Sequence, residues 1–327
     1  MKTQSLSSNQ WKIEVHRKQS ALPSPLIVIL GPTAVGKSEI AIQLAERLDG
    51  EIVSADSRLF YRGMDIGTAK PTEVERSRVP HHLIDVAGVD EVWSLAVFQE
   101  AAQKTIAEIQ AREHLPFLVG GTGQYVRAVT EAWDLPKQEP DPRFRAVLEA
   151  WGRALGEEEI HHCLAIVDPQ AAAVIEPRNL RRTVRALEVI FRTGKRFSDQ
   201  RRRGISPYKL LLLGLTRPRV ELYVRIDARI QAMLDAGFVE EVRALLGRGY
   251  TLDLPGMSAI GYRQIAAYIQ GQITLDEVVA QIKRLTRQFV RRQANWFKLD
   301  DPYIHWFQVG AGTVEEMEKV IREFLRK

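Results

Sequence analysis

Between residues 26 and 121, short continuous apolar runs alternate with stretches of helical period. The run LIVIL at 26–30 is apolar at every position, as expected of a parallel strand covered on both faces. Residues 38–48 place apolar side chains at helical spacing, EIVSAD at 51–56 reads as a second strand, 94–112 as a helix, and LPFLVGG at 115–121 as a third strand running into glycines. Strand and helix in alternation predict an α/β fold with a parallel sheet flanked by helices. In such a sheet the loops that follow strands lie at the carboxyl edge. Segments 31–38, 56–57 and 120–123 are therefore expected on one rim.

Beyond Asp134 the pattern changes. A stretch rich in Pro and charge, 134–144, leads into helical periodicity that lasts to about residue 200. A strand pattern returns in YKLLLLGL at 208–215, helices follow to about 298, and YIHWFQV at 303–309 reads as a short strand. The resulting division is a disordered extension at 1–24, a first part of the core at 25–135, a helical insert at 136–205, a completion of the core with basic helices at 206–310, and a final helix at 311–327. Internal repeats and low-complexity segments are not apparent.

A chain of 327 residues with 45% hydrophobic content can bury a substantial core. Its single cysteine, Cys163, excludes an internal disulfide framework and a cysteine-based zinc finger, and is expected to pack as a small apolar residue. The apolar runs are shorter than the ~18 residues that span a bilayer. The first 24 residues are polar and of mixed charge, without a signal or transit pattern, so the expectation is a cytoplasmic protein, monomeric, with no membrane partner. Adjacent His81 and His82 lack the spacing of a metal site.

The net charge of +5 favours an anionic partner. Between residues 178 and 209, 11 basic side chains stand against two acidic ones, Glu188 and Asp199. A later helix repeats the theme with Lys283, Arg287 and Arg291 in one row and Arg284, Gln288 and Arg292 in the next, beside an apolar stripe of Ile282, Leu285 and Phe289. Two basic surfaces suggest a polyanion. The alternatives are a solubilising surface and structural ion pairs, with Glu176 and Glu188 the candidate partners.

Gly31-Pro-Thr-Ala-Val-Gly36-Lys37-Ser38 fits the phosphate-loop pattern G-x-x-x-x-G-K-[ST], with a strand before it and an amphipathic helix after it. Its glycines let backbone amides converge on an anion at a helix amino terminus; Lys37 can bridge phosphate oxygens and the Ser38 hydroxyl can ligate Mg²⁺. The motif is specific for phosphate and silent about chemistry. A nucleotide hydrolase would offer an acid at the end of another strand, and neither 116–123 nor 210–215 ends in one. Asp56 is then the acid best placed to face a bound phosphate, with a turn cap as its alternative role.

GPTAVGKS, DSRLFYRGMDIGTAKP, VGGTGQY, LRRTVRALEV, RIDARIQAML, GFVEEV, IGYRQ and TRQFVRRQANWF together resemble the bacterial tRNA dimethylallyltransferases over about residues 25–310. YRGMDIGTAKP discriminates best, since phosphate loops are widespread and this string is not. The resemblance implies a P-loop NTPase-like sheet with a helical, tRNA-binding insert. It also implies that Gly31, Thr33, Ala34, Val35, Gly36, Lys37 and Ser38 grip the diphosphate of dimethylallyl diphosphate rather than ATP. Asp56 aligns with the family's general base and Thr122 with a residue touching the target adenosine. Arg225 matches an arginine on the diphosphate, with Arg229 a second candidate, so that Asp56, Thr122, Lys37 and Arg225 form the expected catalytic set. The tRNA-contact segments fall on Asp56, Ser57, Arg58 and Leu59, on Arg181, Arg182, Thr183, Val184 and Arg185, and on Ser258, Ala259, Ile260, Gly261, Tyr262 and Arg263, with Arg145 a further contact. Arg287, Gln288 and Arg292 of the late basic helix complete the expected surface for a tRNA anticodon stem-loop. Leu59 and Asn295 depart from the family's frequent Gln and Thr, which blurs base contacts but not the class. A nucleoside or small-molecule kinase and a non-catalytic RNA-binding protein are the competing expectations.

Overall fold

The computed structural model describes residues 23–135, 141–201 and 204–327. Most of the expected extension, residues 136–140 of the Pro-rich stretch, and Arg202 and Arg203 of the basic run lie outside the described residues.

The first half alternates as its apolar pattern requires: β1 (Pro25–Leu30), α1 (Lys37–Arg47), β2 (Gly50–Ser54), α2 (Glu73–Arg78), β3 (His81–His82), α3 (Leu95–Ala111), β4 (Leu115–Gly120) and α4 (Gly123–Thr130). The insert contributes α5 (Pro142–Leu155), α6 (Glu157–Val167), α7 (Pro169–Val174) and α8 (Leu180–Thr193). The chain then returns through β5 (Lys209–Thr216), α9 (Arg219–Asp235), α10 (Phe238–Gly247), α11 (Tyr262–Ile269), α12 (Leu275–Ala294), β6 (Ile304–Gln308) and α13 (Thr313–Arg326). One parallel sheet of six strands results, in the order β3-β2-β4-β1-β5-β6. The all-apolar β1 lies at its centre, buried from Leu26 to Leu30. Its carboxyl end is thus flanked by those of β4 and β5, where loops diverge and leave a crevice.

Two details differ from the sequence pattern. The second strand ends at Ser54, so Asp56 sits two residues beyond it, in the rim loop rather than in the strand. The two-residue β3, too short to carry a periodic signal, makes His81 and His82 an edge strand beside β2. Among the described residues no helix is long and apolar enough to cross a membrane.

The insert is a physically separate layer. Leu148, Ile160, Leu164, Ala171, Ala172, Ile175, Val184, Ala186 and Leu187 form a core of their own, distinct from the one around the sheet. Three of its four helices, α5, α7 and α8, start where a side chain caps them. Asp141 accepts from the amides of Arg143 and Phe144, Asp168 from Ala171, and Asn179 from Arg182. Departure and return lie side by side, since the Gly204 amide donates to the Glu131 carbonyl at 2.9 Å. Cys163, on α6, is half-buried rather than fully enclosed.

Candidate active site

The loop after β1 turns tightly because glycine permits it. Gly31 has φ +152°, and a Cβ there would lie 2.6 Å from the Leu215 carbonyl oxygen; Gly36, at φ +112°, caps α1. The Lys37 ammonium donates to the Pro32 carbonyl at 2.9 Å. Two arginines from beyond β5 brace the same loop: Arg225 Nε donates to the Ala34 carbonyl at 2.8 Å and Arg217 Nε to the Val35 carbonyl at 3.0 Å. Arg229 follows Arg225 by one helical turn on α9.

These cations crowd one another. Burial lowers the Lys37 ammonium to about 8, with Arg229 adding to the effect and Asp56 opposing it. Arg229 is likewise held below its ordinary value by burial first and Arg225 second, again opposed by Asp56. Clustered like charges that a carboxylate only partly offsets form a ready anion site. Arg225 reaches the loop through Nε, which leaves its terminal nitrogens for a ligand.

Asp56 stands on the same rim. The Ala55 amide donates to the Val119 carbonyl at 2.8 Å, and Asp56 Oδ1 accepts from the Arg58 amide at 3.0 Å. The turn-cap role is therefore real. It occupies one carboxylate oxygen and orients the other. Thr122 precedes α4 on the same rim, half-buried, and its side chain makes no capping hydrogen bond to the helix. Tyr125, one turn further, packs against Phe60 and Phe98. Burial pushes its phenol up to about 12, with Tyr61 and Asp56 adding and Arg58 opposing.

The discriminating string 61–71 is scaffold. Glu241 on α10 accepts from the amides of Asp65, Ile66 and Gly67 at 2.8, 2.7 and 3.1 Å and from the Tyr262 hydroxyl at 2.7 Å. Lys70 is buried between Asp65, Asp85 and the Tyr61 carbonyl. A Cβ on Gly67 would overlap the Phe238 ring at 2.1 Å. This clamp fixes the loop that follows Asp56 against the 258–263 segment, and Arg58 Nη1 completes the join by donating to Ser258 Oγ at 2.9 Å.

The expected tRNA residues divide by exposure. Arg181, Arg182, Ser258, Arg263 and Arg292 are exposed, while Ser57, Arg58, Leu59, Ile260 and Gln288 are half-buried. Thr183, Val184, Ala259 and Tyr262 are buried with their side chains facing the protein, and the Gly261 backbone is buried beside them. Arg145 and Arg185 both pair with the fully buried Glu188, at 2.7 and 2.8 Å. Arg287 pairs with Asp227 on α9 at 2.9 Å and lies over the Tyr223 ring. The buried side of α12 is Val278, Ile282, Val290 and Gln293; Leu285 and Phe289 are only half-buried.

Three contributors escaped the sequence pattern: Arg217, Glu241 and Gln293. Arg217 follows β5 directly, so the rule that points to loops after strands also points to it. Glu241 and Gln293 act by contacts between distant segments, which periodicity does not report. For Mg²⁺ the protein offers few oxygens. Among the described residues no group of three or more His, Cys, Asp or Glu converges. Ser38 lies in the first turn of α1 and is exposed, which suits an ion that takes one protein oxygen and completes its shell from substrate and water.

Residues 59–300 match the family described as IPP transferase. The chain is 55% identical over 274 residues to a tRNA dimethylallyltransferase of Roseiflexus sp., covering 84% of this chain and 90% of that one. It is 46% identical over 304 residues to that of Thermomicrobium roseum, covering 93% and 92%. Among solved structures, the tRNA isopentenylpyrophosphate transferase of Bacillus halodurans superposes with a TM-score of 0.69 at 42% identity, covering 93% of this chain and 97% of that one. A eukaryotic dimethylallyltransferase acting on tRNA superposes with a TM-score of 0.80 at 25% identity, covering 93% and 80%. A phosphate loop braced by arginines, an acid and an uncapped threonine on the same rim, and likeness along nearly the whole chain agree: the chain belongs to the IPP transferase family, among the bacterial tRNA dimethylallyltransferases.

Proposed function

We propose that the protein transfers the dimethylallyl group of dimethylallyl diphosphate to the exocyclic amine of adenosine 37 of tRNA, next to the anticodon, releasing diphosphate. The observation that carries this reading is the placement of Asp56 within the field of Lys37 and Arg229, which sets a proton acceptor beside a leaving-group site. The adenine amine is a poor nucleophile, its lone pair being delocalised into the ring. Its attack needs an electrophile approaching a carbocation and a base that takes the proton as the new C–N bond forms. As the C–O bond breaks, negative charge gathers on the diphosphate. Lys37, the loop amides, Arg225 and Arg229 are the groups to receive it. Bound Mg²⁺, with Ser38 as its protein ligand, would supply further charge neutralisation there.

The target base must leave its stack to enter the crevice, which single-stranded loops make easiest, so an anticodon stem-loop is the expected partner. In this reading Thr122, at the start of α4 on the same rim, contacts the extruded base. Arg181 and Arg182 on the insert, and Arg292 on α12, are exposed and fit backbone phosphates. The protein acts in this reading as a cytoplasmic monomer.

The test is to incubate the protein with unmodified tRNA and, in parallel, labelled dimethylallyl diphosphate or labelled ATP, each with Mg²⁺. Label entering tRNA from the diphosphate substrate alone supports the reading. Phosphoryl transfer from ATP, with no prenylated tRNA, would replace it by a kinase.

A further inference from the structure

We infer that Gln293 is a positioning residue that sets the register between the phosphate loop and the loop bearing Thr122, an inference resting on the transfer reaction proposed above. Gln293 lies near the carboxyl end of α12 and is 5% exposed. Its Oε1 accepts from the Thr33 amide at 2.9 Å and its Nε2 donates to the Gly121 carbonyl at 2.9 Å. A single side-chain amide thus joins the two loops, using its acceptor on one and its donor on the other.

The peptide groups it holds are those that matter. A trans peptide points its carbonyl and its N–H in opposite directions. The Pro32–Thr33 peptide turns its N–H to Gln293 and its carbonyl to the Lys37 ammonium, 2.9 Å away. The Gly121–Thr122 peptide turns its carbonyl to Gln293 and therefore aims the Thr122 N–H away from it. The approach is close enough to require glycine, since a Cβ on Gly121 would fall 2.3 Å from Gln293 Nε2, 2.9 Å from the Gly31 carbonyl oxygen and 3.4 Å from Lys37 Nζ. Gln293 consequently orients the peptide that anchors Lys37 and the peptide that presents Thr122. It ties both to the helix whose outer side carries exposed Arg291 and Arg292.

Two variants separate the halves. Gln293→Glu keeps the size and the acceptor for the Thr33 amide but sets a carboxylate oxygen against the Gly121 carbonyl. Gln293→Met removes both bonds. Displacement of a reacting group by about 1 Å costs on the order of 100-fold in rate. The single-turnover rate of prenyl transfer, per active site titrated with inorganic diphosphate, is expected to fall by roughly that factor in both variants. Inorganic diphosphate affinity should weaken several-fold in Gln293→Met alone, and tRNA affinity should change by less than about twofold in either. If Gln293→Met does not fold, Gln293→Glu decides. A wild-type rate per active site in Gln293→Glu, whatever its melting temperature, overturns the inference. Equal loss of diphosphate affinity in both variants overturns the division of roles. Failure of the wild-type protein to prenylate tRNA would instead remove the reading on which the inference rests.

Discussion

Lys37 sets the clearest expectation at the scale of a single residue. Burial lowers its ammonium to about 8, and a bound diphosphate, by pairing with the charged form, would raise it again. Affinity for dimethylallyl diphosphate should therefore be full below about 8 and fall by up to tenfold per unit as the pH rises through it, while the last ionisation of the phosphate ester lies near 6 and does not interfere. Lys37→Met should flatten this dependence and weaken binding by about 1.5–3 kcal/mol, the range for a bond to a charged group; calorimetric titration across pH measures both. Asp56→Asn keeps the turn bond to the Arg58 amide but loses basicity. Its turnover should drop by roughly 100-fold or more with tRNA affinity little changed, and matched losses would make Asp56 a binding group instead. The place of both residues on the rim was legible in the sequence because each follows a strand and sits in a short motif. Gln293 was not, because a polar residue at the end of a basic helix carries no local mark of facing inward.

At the scale of elements, the basic stretch of the sequence proves to contain two kinds of arginine. Arg145 and Arg185 converge on buried Glu188, Arg145 from α5 and Arg185 from within α8, whereas Arg181 and Arg182 are exposed on the first turn of α8. Charge counting cannot tell these apart, since the distinction depends on which face of α8 packs on the insert's core. Each phosphate contact contributes about −0.7 to −0.9 to the slope of log affinity against log salt, so replacing Arg181 and Arg182 together by Ala should flatten that slope by between one and two. An unchanged slope would move the RNA surface to α12. Glu188 makes the complementary prediction. Burial raises its carboxyl, but the bonds from Arg145, Arg185 and the Asp141 amide outweigh burial and hold it below its ordinary value of 4.5. A carboxyl lowered on folding stabilises the fold above its unfolded value and loses that contribution as the pH drops below it. Amide protection factors in α5 and α8, which correct for the intrinsic exchange rate, should fall on acidification below about 4.5, and Glu188→Gln should remove that acid dependence while loosening both helices at neutral pH.

At the scale of the molecule, the sheet was the most legible part. A fully apolar β1 announces a central parallel strand, and the loops after β1, β2 and β4 meet as the topology requires. The insert was legible as a break in periodicity after Asp134. Its separate core and adjoining ends needed the fold. YRGMDIGTAKP identified the family without disclosing its work, because its partner Glu241 lies 174 residues beyond Gly67 in the chain. What the fold achieves is to bring an arginine-braced phosphate loop, Asp56 and Thr122 to one rim, with exposed arginines on α8 and α12. The measurement that tests this most directly is mass spectrometry of nuclease fragments from unmodified tRNA after reaction with the protein, dimethylallyl diphosphate and Mg²⁺. One added dimethylallyl group is expected, on the adenosine next to the anticodon, with one diphosphate released per group and no ATP required. Unmodified fragments, or a phosphate added only when ATP is supplied, would contradict it.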